Sequence, residues 1–232
     1  MRRELGGAVA VFTDRHGGGS EPPFDTLNLA THVGDVAARV ADNRASAVGL
    51  VGCAEGVWLH HVHGSDVAVV DGPVAAGTCA DGSVTTRPGL ALAAMGADCA
   101  PIAIANDTAC AAVHSGWRGL AAGVVQHAVD AVRAAGSGSV HAVVGPCICA
   151  SCYEFGADDL RSVAAAAGPE VIGSTRDGRA SLDLVAGILA ALERAGVGHI
   201  EALGVCTMES PDHYSFRRDA TTGRQAVIVA RR

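Results

Sequence analysis

Short apolar segments alternate irregularly with segments of helical spacing along this chain, which limits it to folds that combine sheets with helices. Ala8 to Thr13, Val57 to His63 and Val140 to Val144 predict strands, because each carries apolar residues and ends near a turn. Asp35 to Leu50 and Gly119 to Ala135 carry apolar residues at helical spacing and predict helices. The sequence therefore predicts an α/β or α+β fold with mixed β-sheets flanked by helices.

The bulk composition narrows the partners that such a fold would have. The 232 residues suit one domain or two closely fused lobes, and we expect a single domain over residues 1–232. A formal net charge of −7 without a long basic run argues against nucleic acid, although a small anion can still bind to local arginines. No secretion signal or membrane span is visible, so we expect a cytoplasmic protein without a membrane partner.

Three segments concentrate side chains that a core rarely needs, namely Trp58 to Gly64, Gly96 to Pro101 and Val113 to Gly119. Each has a His or Cys near a predicted strand end beside a Gly or Pro turn, and such strand ends often carry functional sites. Two imidazoles and one thiolate would make a zinc site with an open fourth position. Judged by spacing alone, ordinary surface or hydrogen-bonded histidines are the simpler interpretation.

Short motifs occur in a fixed order along nearly the whole chain and change that interpretation. In chain order they are FTDRHGGGS (12–20), PFDTLNLATHVGD (23–35), VHG (62–64), ADC (97–99), HSGWRGL (114–120), GPCICASCYEFG (145–156) and YSFRRDATTGRQA (214–226). Together they resemble the YfiH-like family of laccase-domain proteins, also described as multicopper polyphenol oxidases. The resemblance implies a YfiH-like fold.

The resemblance also implies a chemistry. A zinc ion would be held by His63, Cys99 and His114, with copper as the alternative metal. The implied activity is that of a purine nucleoside phosphorylase, which cleaves adenosine or inosine with phosphate to the free base and ribose 1-phosphate. Methylthioadenosine is a further candidate substrate, and adenosine deamination is an implied side activity. The partners would be the nucleoside and phosphate, in a monomer or homodimer.

Residues for binding phosphate and nucleoside follow from loop chemistry. The glycine-rich loop from Arg15 to Ser20 offers a guanidinium, a hydroxyl and backbone amides to an anion. Arg118, at a predicted helix start, is a second phosphate candidate. Either arginine could instead tie loops together. Asn28 is a candidate contact for sugar or base.

Two carboxylates are candidates for proton transfer during catalysis beside Cys99. Asp98 adjoins Cys99, and Glu154 lies in the CYEFG motif. Asp98 could equally orient a metal ligand, which is common around zinc. Arg217 and Arg218 are either structural or close the pocket.

Two departures from the family pattern involve further metal-binding side chains. His61 stands where the family usually has Gln, and a side chain two residues from His63 on a strand would face the same side. Cys147, Cys149 and Cys152 form a cysteine run, but Cys206 is isolated in the sequence. Buried or reactive thiols are therefore predicted here rather than a metal site.

Three competing functions remain open at this point. A copper-dependent polyphenol oxidase would need more clustered histidines than the 10 scattered along this chain. A hydrolase linked to peptidoglycan editing would use Cys99 as nucleophile and His114 as base. A non-enzymatic role in cell-wall precursor synthesis would act through a binding partner.

Overall fold

The computed structural model describes residues 1–232 and contains thirteen strands and six α-helices. The strands are β1 (Arg2–Leu5), β2 (Ala8–Phe12), β3 (Glu55–Trp58), β4 (Val67–Val69), β5 (Gly82–Thr85), β6 (Leu90–Gly96), β7 (Ala100–Ala105), β8 (Cys110–Ser115), β9 (His141–Val144), β10 (Ile172–Ser174), β11 (Ala180–Leu182), β12 (His199–Ala202) and β13 (Gln225–Arg231). The helices are α1 (Ala37–Gly49), α2 (Trp117–Ala121), α3 (Val124–Ala135), α4 (Ala157–Ala167), α5 (Leu184–Arg194) and α6 (Phe216–Asp219). Short 3-10 helices lie at Ala150–Cys152 and Pro169–Val171.

Eleven of the strands form two mixed sheets. The five-stranded sheet has the order β1-β2-β13-β6-β3, with only the β3–β6 pair parallel. The six-stranded sheet has the order β12-β9-β7-β8-β5-β4, with parallel pairs at its two edges. Strands β10 and β11 form a separate antiparallel hairpin. The prediction of mixed sheets flanked by helices is confirmed.

The two sheets stack face to face, and each also carries helix on its outer face. Alternate residues of β13 and β7, including Val227 and Ala103, meet in the apolar layer between the sheets. On the outer face of the six-stranded sheet, Ile102 of β7 packs with α3, α4 and α5. On the outer face of the five-stranded sheet, Ile228 of β13 packs with Val48 of α1. Four layers result. The central strands β2, β6, β7, β8 and β13 are buried on both faces, which explains why they are mostly apolar.

The helices follow their apolar spacing. In α3, the buried residues Val125, Ala128, Val129 and Val132 lie at positions i, i+3, i+4 and i+7 and form one face against the sheet. Asp183 caps the N-terminus of α5: its side chain accepts a hydrogen bond from the backbone N–H of Ala186 at 2.9 Å. No helix combines the length and hydrophobicity needed to cross a lipid bilayer.

Two sequence predictions are wrong in part. The helix predicted over 119–135 is interrupted, because Gly123 adopts a φ of +88° between α2 and α3. The strand predicted over 57–63 ends at Trp58, and His63 has a φ of +61° in the loop that follows.

Candidate metal and substrate site

A buried carboxylate, Asp81, holds the loop that carries His63. Its Oδ1 accepts a hydrogen bond from the backbone N–H of His63 at 2.9 Å, and its Oδ2 accepts one from Gly64 at 2.7 Å. The N–H of Val62 donates to the same Oδ2 at 3.3 Å. Three successive amides thus converge on one carboxylate, which stabilises the left-handed backbone of His63, a conformation uncommon for residues other than glycine.

Asp81 also orients His114, a buried residue of β8. The His114 Nδ1 lies 2.9 Å from Asp81 Oδ1, so this nitrogen donates its proton to the carboxylate and Nε2 is left for a ligand. Burial alone would raise the pKa of Asp81, but hydrogen bonds from His114 and Gly64 hold it at about 2. One charged group therefore positions two imidazoles.

Cys99 completes the group from the turn between β6 and β7. Its Sγ lies 3.8 Å from His63 Nε2, and the ligand atoms of His63, Cys99 and His114 all lie within 4.8 Å of one another. Burial favours the neutral thiol, yet His114 and His63 lower the pKa of Cys99 to about 6. Burial would lower the pKa of His114, but Cys99 and Asp81 raise it to about 9.

The donor set has the chemistry of a zinc site. Two imidazole nitrogens and an easily ionised thiol are common zinc ligands, and three of them leave a fourth position for substrate. Gly116 packs directly behind the group, since a Cβ there would lie 2.8 Å from Cys99 Sγ and 3.1 Å from His63 Cδ2. The residues present therefore fit a three-coordinate metal site.

His61 lies behind this group and has no free ring nitrogen. Its Nδ1 lies 3.2 Å from the carbonyl oxygen of Ala80, and its Nε2 lies 3.1 Å from the backbone N of Met95. Nε2 must accept from Met95, so Nδ1 carries the proton and His61 is neutral. Burial, followed by the neighbouring His114, lowers the pKa of His61 to about 3. His61 stacks on His114 at 4.7 Å between ring centroids and supports that ligand.

A cavity of about 400 Å³ opens over the three ligands. Three arginines line it, and each guanidinium lies over an aromatic ring of the wall. The pairs are Arg118 over Trp117 at 4.1 Å, Arg217 over Tyr153 at 4.9 Å and Arg224 over Phe216 at 5.9 Å. Arg118, Arg217 and Arg224 form no salt bridge, unlike most arginines in the chain. Asp98 is the one carboxylate in the cavity lining, so three guanidinium groups face one carboxylate there, and this excess of positive charge suits an anion beside a flat aromatic or heterocyclic group.

The other predicted catalytic residues fall in different surroundings. Arg118 and Asp98 line the cavity. The Asp98 carboxylate accepts hydrogen bonds from Thr207 Oγ1 at 2.7 Å and from the backbone N–H of Arg217 at 2.6 Å. Glu154 is exposed, pairs with Arg179 and does not line the cavity.

Of the four residues predicted to bind phosphate and sugar, only Arg118 lines the cavity, and the other three lie outside it. Asn28 is fully buried and uses both ends of its amide, donating to Ala30 and Asp35 and accepting from Ala30 and Arg224. Ser20 Oγ donates to Asp35 at 2.6 Å. Arg15 donates to the carbonyl oxygen of Asp25 at 2.8 Å and pairs with its carboxylate. The side chains of Arg15, Ser20 and Asn28 thus hold neighbouring loops together. Direct contact between these three residues and a substrate stays a prediction.

Two charged residues of this site are missing from the sequence-based set, as are the aromatic wall residues Tyr153 and Phe216. The only sequence signal at Asp81 is an acidic residue between Ala80 and Gly82, ahead of an apolar segment. Nothing in the neighbouring sequence reveals that Asp81 pairs with His114. Arg224 lies within the YSFRRDATTGRQA motif, which marks it as a candidate without showing that it faces the cavity.

Comparisons with known proteins bear on the family and the fold of this chain. The model of the family described as "Multi-copper polyphenol oxidoreductase laccase" matches residues 9–232. A purine nucleoside phosphorylase of Streptomyces griseus is 44% identical over 233 residues, covering 97% of this chain and 94% of the relative. One from Streptomyces coelicolor is 43% identical, covering 99% of this chain and 98% of the relative. The crystal structure of a Neisseria meningitidis protein of the DUF152 family superposes with a TM-score of 0.87 at 31% identity, covering 100% of this chain and 98% of that one.

Proposed function

This chain belongs to the multi-copper polyphenol oxidoreductase laccase family, and from that membership we propose that it is a zinc-dependent purine nucleoside phosphorylase. Adenosine and inosine are the proposed substrates, with methylthioadenosine a further candidate. The products are the free base and ribose 1-phosphate. The observation that carries the proposal is one cavity in which three arginines without carboxylate partners surround the His63, Cys99 and His114 group.

The arginines supply the proposed phosphate site. Arg118 and Arg217 are exposed at the cavity wall, and Arg224 is half-buried there. Guanidinium groups bind phosphate oxygens in pairs, so these side chains would hold the nucleophile. A phosphate oxygen then bonds to ribose C1′ while the bond from C1′ to the purine nitrogen breaks. The electron pair of that bond leaves with the purine, which takes up a proton.

Aromatic side chains supply the proposed base site. Tyr153 and Phe216 line the same cavity, and their rings offer flat faces to a purine. Zn²⁺ held by His63, Cys99 and His114 would act there as a Lewis acid that withdraws electron density from the substrate. His114 is held for this by Asp81, and Cys99 by the turn that Asp98 fixes.

The proposed deaminase side activity needs a carboxyl group that moves protons during attack of water at the purine six-position. Of the two candidates, only Asp98 lines the cavity. Because both its oxygens already accept hydrogen bonds, we assign Asp98 mainly to positioning the Cys99 turn. Deamination is therefore expected to be slow relative to phosphorolysis.

Product analysis tests the proposal. Purified protein of known zinc content is incubated with adenosine or inosine, with and without phosphate, and the products are separated by chromatography. Adenine and hypoxanthine are expected only with phosphate, and His63→Ala is expected to be inactive. His199→Ala, an exposed histidine outside the site, serves as the matched control and keeps full activity. Base release without phosphate would indicate a nucleosidase, and no reaction with zinc bound would refute the proposal.

A second candidate function rests on the same cysteine. In the absence of metal, the lowered pKa of Cys99 and the adjacent His114 resemble a thiolate nucleophile with its imidazole base. Hydrolysis of an ester or amide by metal-free protein, lost in Cys99→Ser, would support a hydrolase. Oxygen uptake with a phenol after copper loading would instead support the polyphenol oxidase activity in the family's description.

A further inference from the structure

Three cysteines and one glutamate outside the cavity form a second cluster. Cys149 and Cys152 belong to the loop and 3-10 helix that follow β9, and Cys206 and Glu209 belong to the loop that follows β12. Their three sulfur atoms and one carboxylate oxygen all lie within 4.8 Å of one another. The sequence-based view of Cys206 as isolated is therefore wrong, because the backbone N–H of Cys149 donates to Cys206 Sγ at 3.3 Å.

The two S···O distances in this cluster are close to those of a tetrahedral zinc shell. Zinc bonds of about 2.3 Å to sulfur and 2.0 Å to oxygen place neighbouring donors about 3.5 Å apart for S···O and about 3.8 Å for S···S. Glu209 Oε1 lies 3.3 Å from Cys152 Sγ and 4.0 Å from Cys149 Sγ. A disulfide, by contrast, needs two sulfurs about 2 Å apart and would leave the third thiol and the carboxylate without a role.

Charge and softness favour a thiophilic cation at this place. Thiolates select soft or borderline metals such as zinc, whereas carboxylate-rich groups favour calcium or magnesium. The only cation that pairs with Glu209 is Arg176, an exposed side chain that contacts Oε1, the same oxygen that faces the cysteines. A bound metal ion would take the place of this surface ion pair. The three cysteines are half-buried and Glu209 is exposed, so an ion can reach the cluster from solvent.

We propose that Cys149, Cys152, Cys206 and Glu209 bind a second zinc ion in a closed four-coordinate shell. Because the protein fills all four positions, this site is structural and not catalytic. None of its ligands lines the cavity over Cys99, so its occupancy can be tested apart from the proposed nucleoside chemistry.

The bound ion would fix the Cys99 turn from behind. The two loops that it joins both contact Asp98: Ile148 donates its N–H to the Asp98 carbonyl oxygen at 3.0 Å, and Thr207 Oγ1 donates to the carboxylate at 2.7 Å. The N–H of Thr207 also donates to the carbonyl oxygen of Cys147 at 3.1 Å, which links the loops to each other. Removing the ion would loosen this support next to the catalytic turn.

Metal stoichiometry tests the proposal. Protein purified without chelators and dialysed against zinc is analysed for zinc and protein content. Two zinc ions per chain are expected in the unmodified protein, one in Cys152→Ser, one in His63→Ala and none in the double variant. Cys79→Ser, which removes an exposed cysteine outside both clusters, should keep two. One zinc or none in the unmodified protein, with Cys152→Ser unchanged, would overturn the proposal.

Thiol alkylation of the unmodified protein covers the case in which Cys152→Ser fails to fold. Peptide mapping gives the alkylation rate of each cysteine. Cys149, Cys152 and Cys206 should be alkylated at least tenfold more slowly in zinc-bound protein than in protein from which zinc has been removed. Cys79 should react equally in both states and calibrates the reagent. Equal alkylation rates at the three cysteines, or a disulfide among them in zinc-saturated protein, would refute the second site.

Discussion

Replacing Asp81 by Asn tests whether one carboxylate organises the site. Asp81 Oδ1 accepts from His63 and His114, while Oδ2 accepts from Gly64 and Val62. Asparagine replaces one of these two oxygens by an NH₂ group, which cannot accept a hydrogen bond. Whichever oxygen is replaced, two N–H donors lose their acceptor, so two hydrogen bonds to a charged group are lost. At about 1.5–3 kcal/mol each, the free energy of unfolding should fall by about 3 kcal/mol or more.

The same change should weaken zinc binding. Loss of a hydrogen-bond partner of a metal-bound imidazole typically lowers metal affinity about 10–100-fold, or about 1.4–2.7 kcal/mol. The zinc dissociation constant is measured by chelator competition in a Cys152→Ser background, so that only the site at His63 contributes. Urea unfolding gives the stability.

Asp66→Asn provides the matched control for this experiment. Asp66 is exposed and its side chain makes no hydrogen bond. Its substitution should leave the free energy of unfolding and the free energy of zinc binding within about 0.5 kcal/mol of the parent values. A zinc dissociation constant for Asp81→Asn within threefold of the parent would show that the carboxylate does not orient His114 or the His63 loop.

Three further substitutions probe the cavity and its surroundings. Arg118→Ala should raise the KM for phosphate about 10–100-fold, because charge-assisted hydrogen bonds to phosphate are lost, and should leave the zinc content unchanged. The control is Arg161→Ala, an exposed residue outside the cavity, which should leave the steady-state kinetics unaltered. Gly116→Ala should weaken zinc binding about tenfold or more in a zinc titration, because its Cβ would lie 2.8 Å from Cys99 Sγ. Its control is Gly49→Ala, where a Cβ meets open space; this change should leave zinc binding unaltered and should leave the free energy of unfolding in urea equal or slightly higher. Asn28→Ala should lower the free energy of unfolding by about 2–4 kcal/mol, because the hydrogen bonds of its amide are lost. A large rise in the KM for nucleoside with unchanged stability would show instead that Asn28 contacts the substrate.

Regular elements were predictable where one local pattern decides the outcome. The apolar spacing that predicts a helix near residues 35–50 and a strand near 140–144 is matched by α1 and β9. The helix over 119–135 was predicted as continuous because Leu120 and Val124 keep its spacing across the break. Glycine is compatible with both a helix and a left-handed turn, so Gly123 alone could not reveal the interruption.

The site was predictable only for the side chains that carry a motif. His63, Cys99 and His114 lie in VHG, ADC and HSGWRGL, and the structure brings these three together. Asp81, the shared partner of His63 and His114, lies 18 residues beyond His63, so only the folded chain reveals it. Pairing of Cys149 with Cys206 spans 57 residues and was equally invisible.

The central place of β13 in the five-stranded sheet bears on how the protein is made. This strand lies between β2 and β6 and contributes residues to the layers on both faces of the sheet. During translation, β2 and β6 leave the ribosome long before residues 225–231 and have no partner between them until that segment emerges. Their unpaired edges are then exposed to other nascent chains. A chaperone that shields growing polypeptides should therefore raise the yield of folded protein more than it changes the stability of the finished molecule.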